Sequence, residues 1–142
     1  MTCVKFETAE ALKKEGFPQP PMYPGQFWYK KHETHASLIF IYDTILRGSD
    51  LIIYVCLFNA KTGITTQWNE NETKKMNLVF APTVENILPL LKTEMWYMEP
   101  DKMFVTKCWK EKEGKTSSFI RGDEEASEVA AETYLYEPSL RK

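Results

Sequence analysis

The sequence predicts an α+β domain: an antiparallel sheet of about five to seven strands with two or three packed helices. Three observations carry this prediction. The apolar, β-branched runs "SLIFIY" (37–42) and "LIIYVCLF" (51–58) are separated by "RGSD" at 47–50, which reads as a hairpin loop. A second pair, "MFVTKCWK" and "TSSFIR", flanks "EKEGK" in the same way. The order is helix, hairpin-linked strands, helix, strands, helix, with tight turns that favour antiparallel pairing over a doubly wound α/β sheet. At 142 residues the chain is read as a single globular domain, 1–142. A chain of this size buries roughly two-thirds of its unfolded surface and folds without staples.

Each element has a local reason. The opening helix takes Thr8 as its N-cap and Ala11 and Leu12 as its apolar stripe. Gly16 ends it, and Pro18 forbids its continuation. A proline-rich connector follows, and "QFWY" (26–29) begins the strands. Alternation puts Phe27 and Tyr29 on one side of that strand and Trp28 on the other. The long apolar runs 37–42 and 51–58 predict strands covered on both faces. "NAKTG" (59–63) is a turn into the strand "ITTQW" (64–68), "NENETKK" (69–75) reads as a polar loop, and "MNLVF" (76–80) returns to strand. "APTVENILPLLK" reads as a helix capped by Thr83, with Val84, Ile87, Leu88 and Leu91 at helical spacing. Pro89 lies too deep to be a first-turn proline and predicts a short helix or a bend. "MWYM" (95–98) is a short strand and "EPDK" a turn. Asp123 caps the last helix, whose inward face is Ala126, Val129, Ala130, Thr133 and Tyr134 and which Pro138 ends.

Composition narrows the function classes. The first 75 residues carry a net +1 and the remainder −3. Neither half has the basic excess that tight nucleic-acid binding needs. Cys3, Cys56 and Cys108 are odd in number and widely spaced, which is neither a disulfide framework nor a zinc pattern. The longest apolar run, Leu51–Phe58, is too short to cross a bilayer, and the charged N-terminus lacks a leader's apolar core. A cytoplasmic location and no membrane partner are the consistent expectations.

Few residues suggest chemistry. His32 and His35 in "HETH" have a ligand-like spacing, but on strand and turn they are expected to face opposite sides, so no metal is assigned. No serine sits in a nucleophile elbow, and no cysteine has an activating context. Asp43 interrupts the apolar run "IFIYDTIL", so it marks a strand end or bulge, or else a buried carboxylate with a partner. Lys107, Lys110, Lys112 and Lys115 around Trp109 could follow a single strand of nucleic acid, but Glu111 and Glu113 cancel much of the field. In "GFPQPPMYPGQFWYKK" two overlapping P-x-x-P frames, 18–21 and 21–24, could present a polyproline II ligand. The neighbouring aromatics favour a stiff connector packed on the body.

The stretches "KKEGFPQP", "GQFWY", "APTVENILPLL" and "ETYLY" resemble small uncharacterised proteins encoded by bacteriophages and by prophages of gut bacteria. The resemblance implies a phage or prophage context and brings no activity, cofactor or catalytic residue with it. The expected function is that of a non-enzymatic accessory protein acting through a protein partner or self-association. Tyr23 and Trp28 are its candidate contact residues if both are exposed. The alternative is a small-molecule binder or minor enzyme with a pocket near Asp43, and a weaker one is nucleic-acid binding through the 107–115 hairpin. No cofactor is expected.

Overall fold

A computed structural model describes residues 3–58, 63–98, 105–111, 117–122 and 126–142, with backbone alone for the strands between 93 and 122. The fold is α+β and every strand pairing is antiparallel. The described residues fall into two compact units. Gly16–Ala81 forms one, and Met1–Glu15 with Pro82–Lys142 forms the other.

The unit Gly16–Ala81 is a five-stranded sheet with one short helix. Its strands are β1 (Phe27–Lys31), β2 (Ala36–Arg47), β3 (Asp50–Phe58), β4 (Gly63–Asn69) and β5 (Leu78–Ala81), in the spatial order β4-β3-β2-β1-β5. The first four run as a meander, and the chain then returns to lay β5 beside β1. Gly48 turns the β2–β3 hairpin with φ +63°, a conformation that suits a residue without Cβ. Arg47 pairs with Asp50 across it.

The helix α1 (Phe6–Lys14) belongs to the other unit; the helix of the sheet unit is α2 (Glu70–Lys75). It corrects the expected loop at 69–75. Asn69 Oδ1 accepts the Glu72 backbone N–H at 2.8 Å, Glu70 and Glu72 sit at the positive end, and Lys74 and Lys75 at the negative end.

One face of the sheet forms the core. Trp28, Ile39, Ile41, Ile53, Val55, Trp68 and Phe80 are all buried there. The Trp28 ring packs on Phe80, its cross-strand partner, at 5.3 Å between centroids. Lys30 on β1 lies 5.6 Å from the centre of the Trp68 ring on β4. In a flat sheet these positions stand three strands and several residues apart, more than about 20 Å. The sheet is therefore strongly coiled, with its buried face concave.

In the second unit, α1, the short α3 (Val84–Ile87) and α4 (Ala126–Tyr136) accompany a three-stranded meander, β6 (Thr93–Met98), β7 (Val105–Glu111) and β8 (Ser117–Gly122), in the order β6-β7-β8. Small buried residues on α4, Ala130 and Ala131, let α1 and α3 approach it. The cap of α1 differs from expectation. The helix begins at Phe6, and Thr8 lies inside it. Glu128 on α4 takes the Lys5 backbone N–H and accepts the Thr8 hydroxyl at 2.7 Å, so the cap comes from a distant helix. As Pro89 predicts, α3 stops after one turn, and a 3-10 turn spans Leu88–Leu90. The Thr83 N–H donates to Asn86 Oδ1 at 2.9 Å, the reciprocal half of a capping box. Arg141 closes the far end of α4: its Nε donates to the Tyr134 carbonyl at 2.6 Å, and its guanidinium lies 4.3 Å from the Tyr134 ring centre. Most of the expected turn "NAKTG" (59–63), the turn "EPDK" (99–102), most of the loop "EKEGK" (111–115) and the Asp123 cap lie outside the described residues.

Candidate functional site

Two features of the sheet unit stand out, and each contains one residue that the sequence singles out, Trp28 in the first and Asp43 in the second. The first is a cleft of about 340 Å³ on the concave side of the sheet. Pro20, Pro21 and Met22 form one wall, and Trp28, Ile53 and Leu78 line it from the sheet. Thr73, Met76 and the Glu70–Lys74 ion pair (3.5 Å) form the opposite side. The surroundings are mostly apolar, with one charged pair at the rim.

The proline connector shapes this cleft because glutamines hold it down. Gln19 Oε1 accepts the Phe80 N–H at 3.0 Å, so it caps a donor that β5 points away from β1. Gln26 is the hub. Its Oε1 accepts the Tyr23 N–H at 2.9 Å and the Trp28 indole N–H at 3.0 Å, while its Nε2 donates to the Pro21 carbonyl at 3.0 Å. The Gly25 N–H donates to the Ile41 carbonyl at 2.8 Å, and the Ile41 N–H to the Gln26 carbonyl at 3.0 Å. Pro20, Met22, Pro24 and Gln26 are half-buried while Pro21, Tyr23 and Gly25 are exposed, so alternate residues face the sheet. The connector is a packed extended segment.

The second feature is the free edge of β2. Because Arg47 and Asp50 close a two-residue loop, they exchange both hydrogen bonds across the hairpin. By alternation Asp43, Ile45 and Arg47 bond to β3, and the N–H and C=O of Thr44 and Leu46 point the other way. On that side the connector pairs only as far as Ile41. Among the described residues no strand pairs with β2 beyond it. The same stretch exposes large apolar side chains: Leu46 is 68% exposed, Tyr42 45% and Ile45 40%.

Asp43 sits on this edge. The β2–β3 register shifts between Ile41 and Asp43, so Tyr42 is the extra residue of a β-bulge. Asp43 is exposed, and its Oδ1 accepts the outward Thr44 N–H at 2.8 Å. It is not part of the cleft. Tyr23 is 70% exposed and Trp28 only 6%, so the two do not form a joint aromatic patch. Trp28 instead lines the cleft. The edge is legible in hindsight from the polar interruption at Asp43, whereas the Gln26 hub carries no sequence signal.

His32 and His35 correct another expectation. They occupy the turn between β1 and β2, where the His32 N–H donates to the His35 carbonyl at 2.7 Å. The turn stacks the two rings at 4.5 Å between centroids. Residues three apart face opposite sides only in an uninterrupted strand. A hydrogen bond joins His32 Nε2 and Ser37 Oγ at 3.0 Å. Among the described residues no group of three or more His, Cys, Asp or Glu side chains is placed to hold a metal ion. Cys3 is buried and Cys56 is half-buried. The side chains of the 107–115 hairpin lie outside the described residues. No helix among the described residues is long and apolar enough to cross a membrane.

Comparison with known proteins finds no matching family model, no matching curated protein and no matching solved structure.

Proposed function

We propose that this chain is a non-enzymatic accessory protein of phage or prophage origin, acting in the cytoplasm of a bacterial host by binding another protein through the free edge of β2. The edge is the observation that carries the reading. It combines outward main-chain groups at Thr44 and Leu46 with exposed Tyr42, Ile45 and Leu46. Main-chain pairing supplies affinity in strand addition, and the alternating side chains supply selectivity. Native edges are usually shortened, charged or covered, and this one is only partly so, with Asp43 and Arg47 beside the apolar residues. The phage context rests on the sequence resemblance alone.

The test is capture from a host lysate on the wild-type chain and on Leu46→Asp, followed by quantitative mass spectrometry. A stoichiometric partner lost from the Leu46→Asp bait supports the reading. Identical capture profiles on the two baits refute it.

A second reading is favoured by the cleft. Its volume falls in the range of small-ligand sites, and its mostly apolar lining suits a flat or aliphatic group. An NMR fragment screen that shifts the Thr73 and Lys74 amides together would support it. Shifts scattered over the surface would exclude it.

A further inference from the structure

The free edge of β2 is self-complementary, and we infer that its occupant is a second copy of this chain, joined as an antiparallel two-fold pair centred on Ile45. This deepens the edge-binding reading above by naming the partner. A two-fold interface must set each residue against a residue of the same segment. In an antiparallel pairing centred on Ile45, Thr44 of one copy faces Leu46 of the other. These are the two residues whose main-chain groups point outward, so the pairing closes hydrogen bonds between them on both sides of the axis. Ile45 meets its own counterpart in a non-hydrogen-bonded position, where side chains come closest.

The same register settles the charges. Asp43 falls directly opposite Arg47 of the second copy, and symmetry repeats the pair. Shifting the centre by one residue, to Thr44 or Leu46, sets Asp43 against Ile45 or Arg47 against Ile45 and loses both ion pairs. In the single chain the Asp43 carboxylate is turned back onto the Thr44 N–H. Pairing frees that donor for the Leu46 carbonyl of the second copy and gives the carboxylate a guanidinium in exchange. Both charged side chains are exposed, and among the described residues neither is in an ion pair.

The contact is short, with two outward residues per copy, so the dimer is weak and half-formed at roughly 100 µM. Sedimentation equilibrium of the full chain between about 1 µM and 1 mM reads it directly. Opposite charges across a strand pair stabilise it and like charges destabilise it. Asp43→Arg and Arg47→Asp should therefore each raise the dissociation constant at least about tenfold. The exchange Asp43→Arg with Arg47→Asp should restore it to within a few-fold. Ile45→Lys, which sets two ammonium groups against each other, should leave only monomer. All of these positions are exposed, and circular dichroism verifies that the variants fold. A wild-type monomer at 1 mM overturns the proposal, and so does a dimer that ignores the Asp43 and Arg47 reversals. A monomer whose lysate partner still depends on Leu46 refutes self-pairing and leaves the broader edge reading standing.

Discussion

Replacing Gln26 by alanine removes three hydrogen bonds at once, and most of the cost falls on one of them. The Tyr23 N–H and the Pro21 carbonyl lie at the surface, where water replaces the lost amide at little expense. The Trp28 indole N–H does not have that recourse, because the residue is only 6% exposed. A buried donor left without a partner costs about 1–3 kcal/mol. Gln26→Ala should therefore lower the unfolding free energy by about 1–3 kcal/mol, read from urea titration. Gln26→Glu keeps the acceptor for both N–H groups and loses only the donor to Pro21, so its loss should be smaller. Trp28→Phe removes the donor itself. In the double variant the two losses should fail to add by about 1 kcal/mol, since one bond is shared. The connector should also loosen. The Tyr23 amide, which donates to Gln26 Oε1, should then exchange its hydrogen faster, because local opening no longer breaks the hub. A Gln26→Ala loss below about 0.5 kcal/mol, the usual size of a surface change, with unaltered amide exchange at Tyr23, would refute the hub.

Three further outcomes follow from local geometry. Gly48→Val should destabilise the β2–β3 hairpin by about 1–2 kcal/mol, because the turn holds a positive φ, while Gly48→Asn should cost less; thermal melts compare them. Asn69→Ala should cost about 1 kcal/mol by uncapping α2, seen as faster amide exchange at Glu72. Glu128→Ala should cost about 1.5–3 kcal/mol, since its carboxylate accepts from both Lys5 and Thr8. Thr8→Val alone, which keeps the Lys5 contact, should cost less in the same urea titration.

The hairpin at "RGSD" was readable because its turn chemistry is local: Gly48 supplies the positive φ, and apolar strands flank it. Pro89 likewise acts on its own neighbourhood, and α3 ends where it predicts. Helix α2 escaped because a six-residue helix facing solvent has no apolar period, yet its caps and end charges were in plain sight at Asn69, Glu70, Lys74 and Lys75. The start of α1 was misplaced for the opposite reason. Its cap is Glu128, which no window around Thr8 contains. The site followed the same division. A polar residue inside an apolar run marked Asp43 as a strand end, a bulge or a buried carboxylate, and the bulge, a local event, falls beside it at Tyr42. That Trp28 would turn inward and Gln26 would hold it depends on the coiling of the sheet, and residue spacing does not encode coiling. The division of the chain at Gly16 and Pro82 also falls on residues that local reading had assigned to a helix end and a helix start.

The stacking of Phe17 on Phe80, 6.4 Å between ring centres, and the bond from the Phe80 N–H to Gln19 bring the two ends of the Gly16–Ala81 segment together. A segment that enters and leaves at one point behaves as a cassette. Recombination can lift it out or exchange it while asking the rest of the chain only to rejoin Glu15 to Pro82.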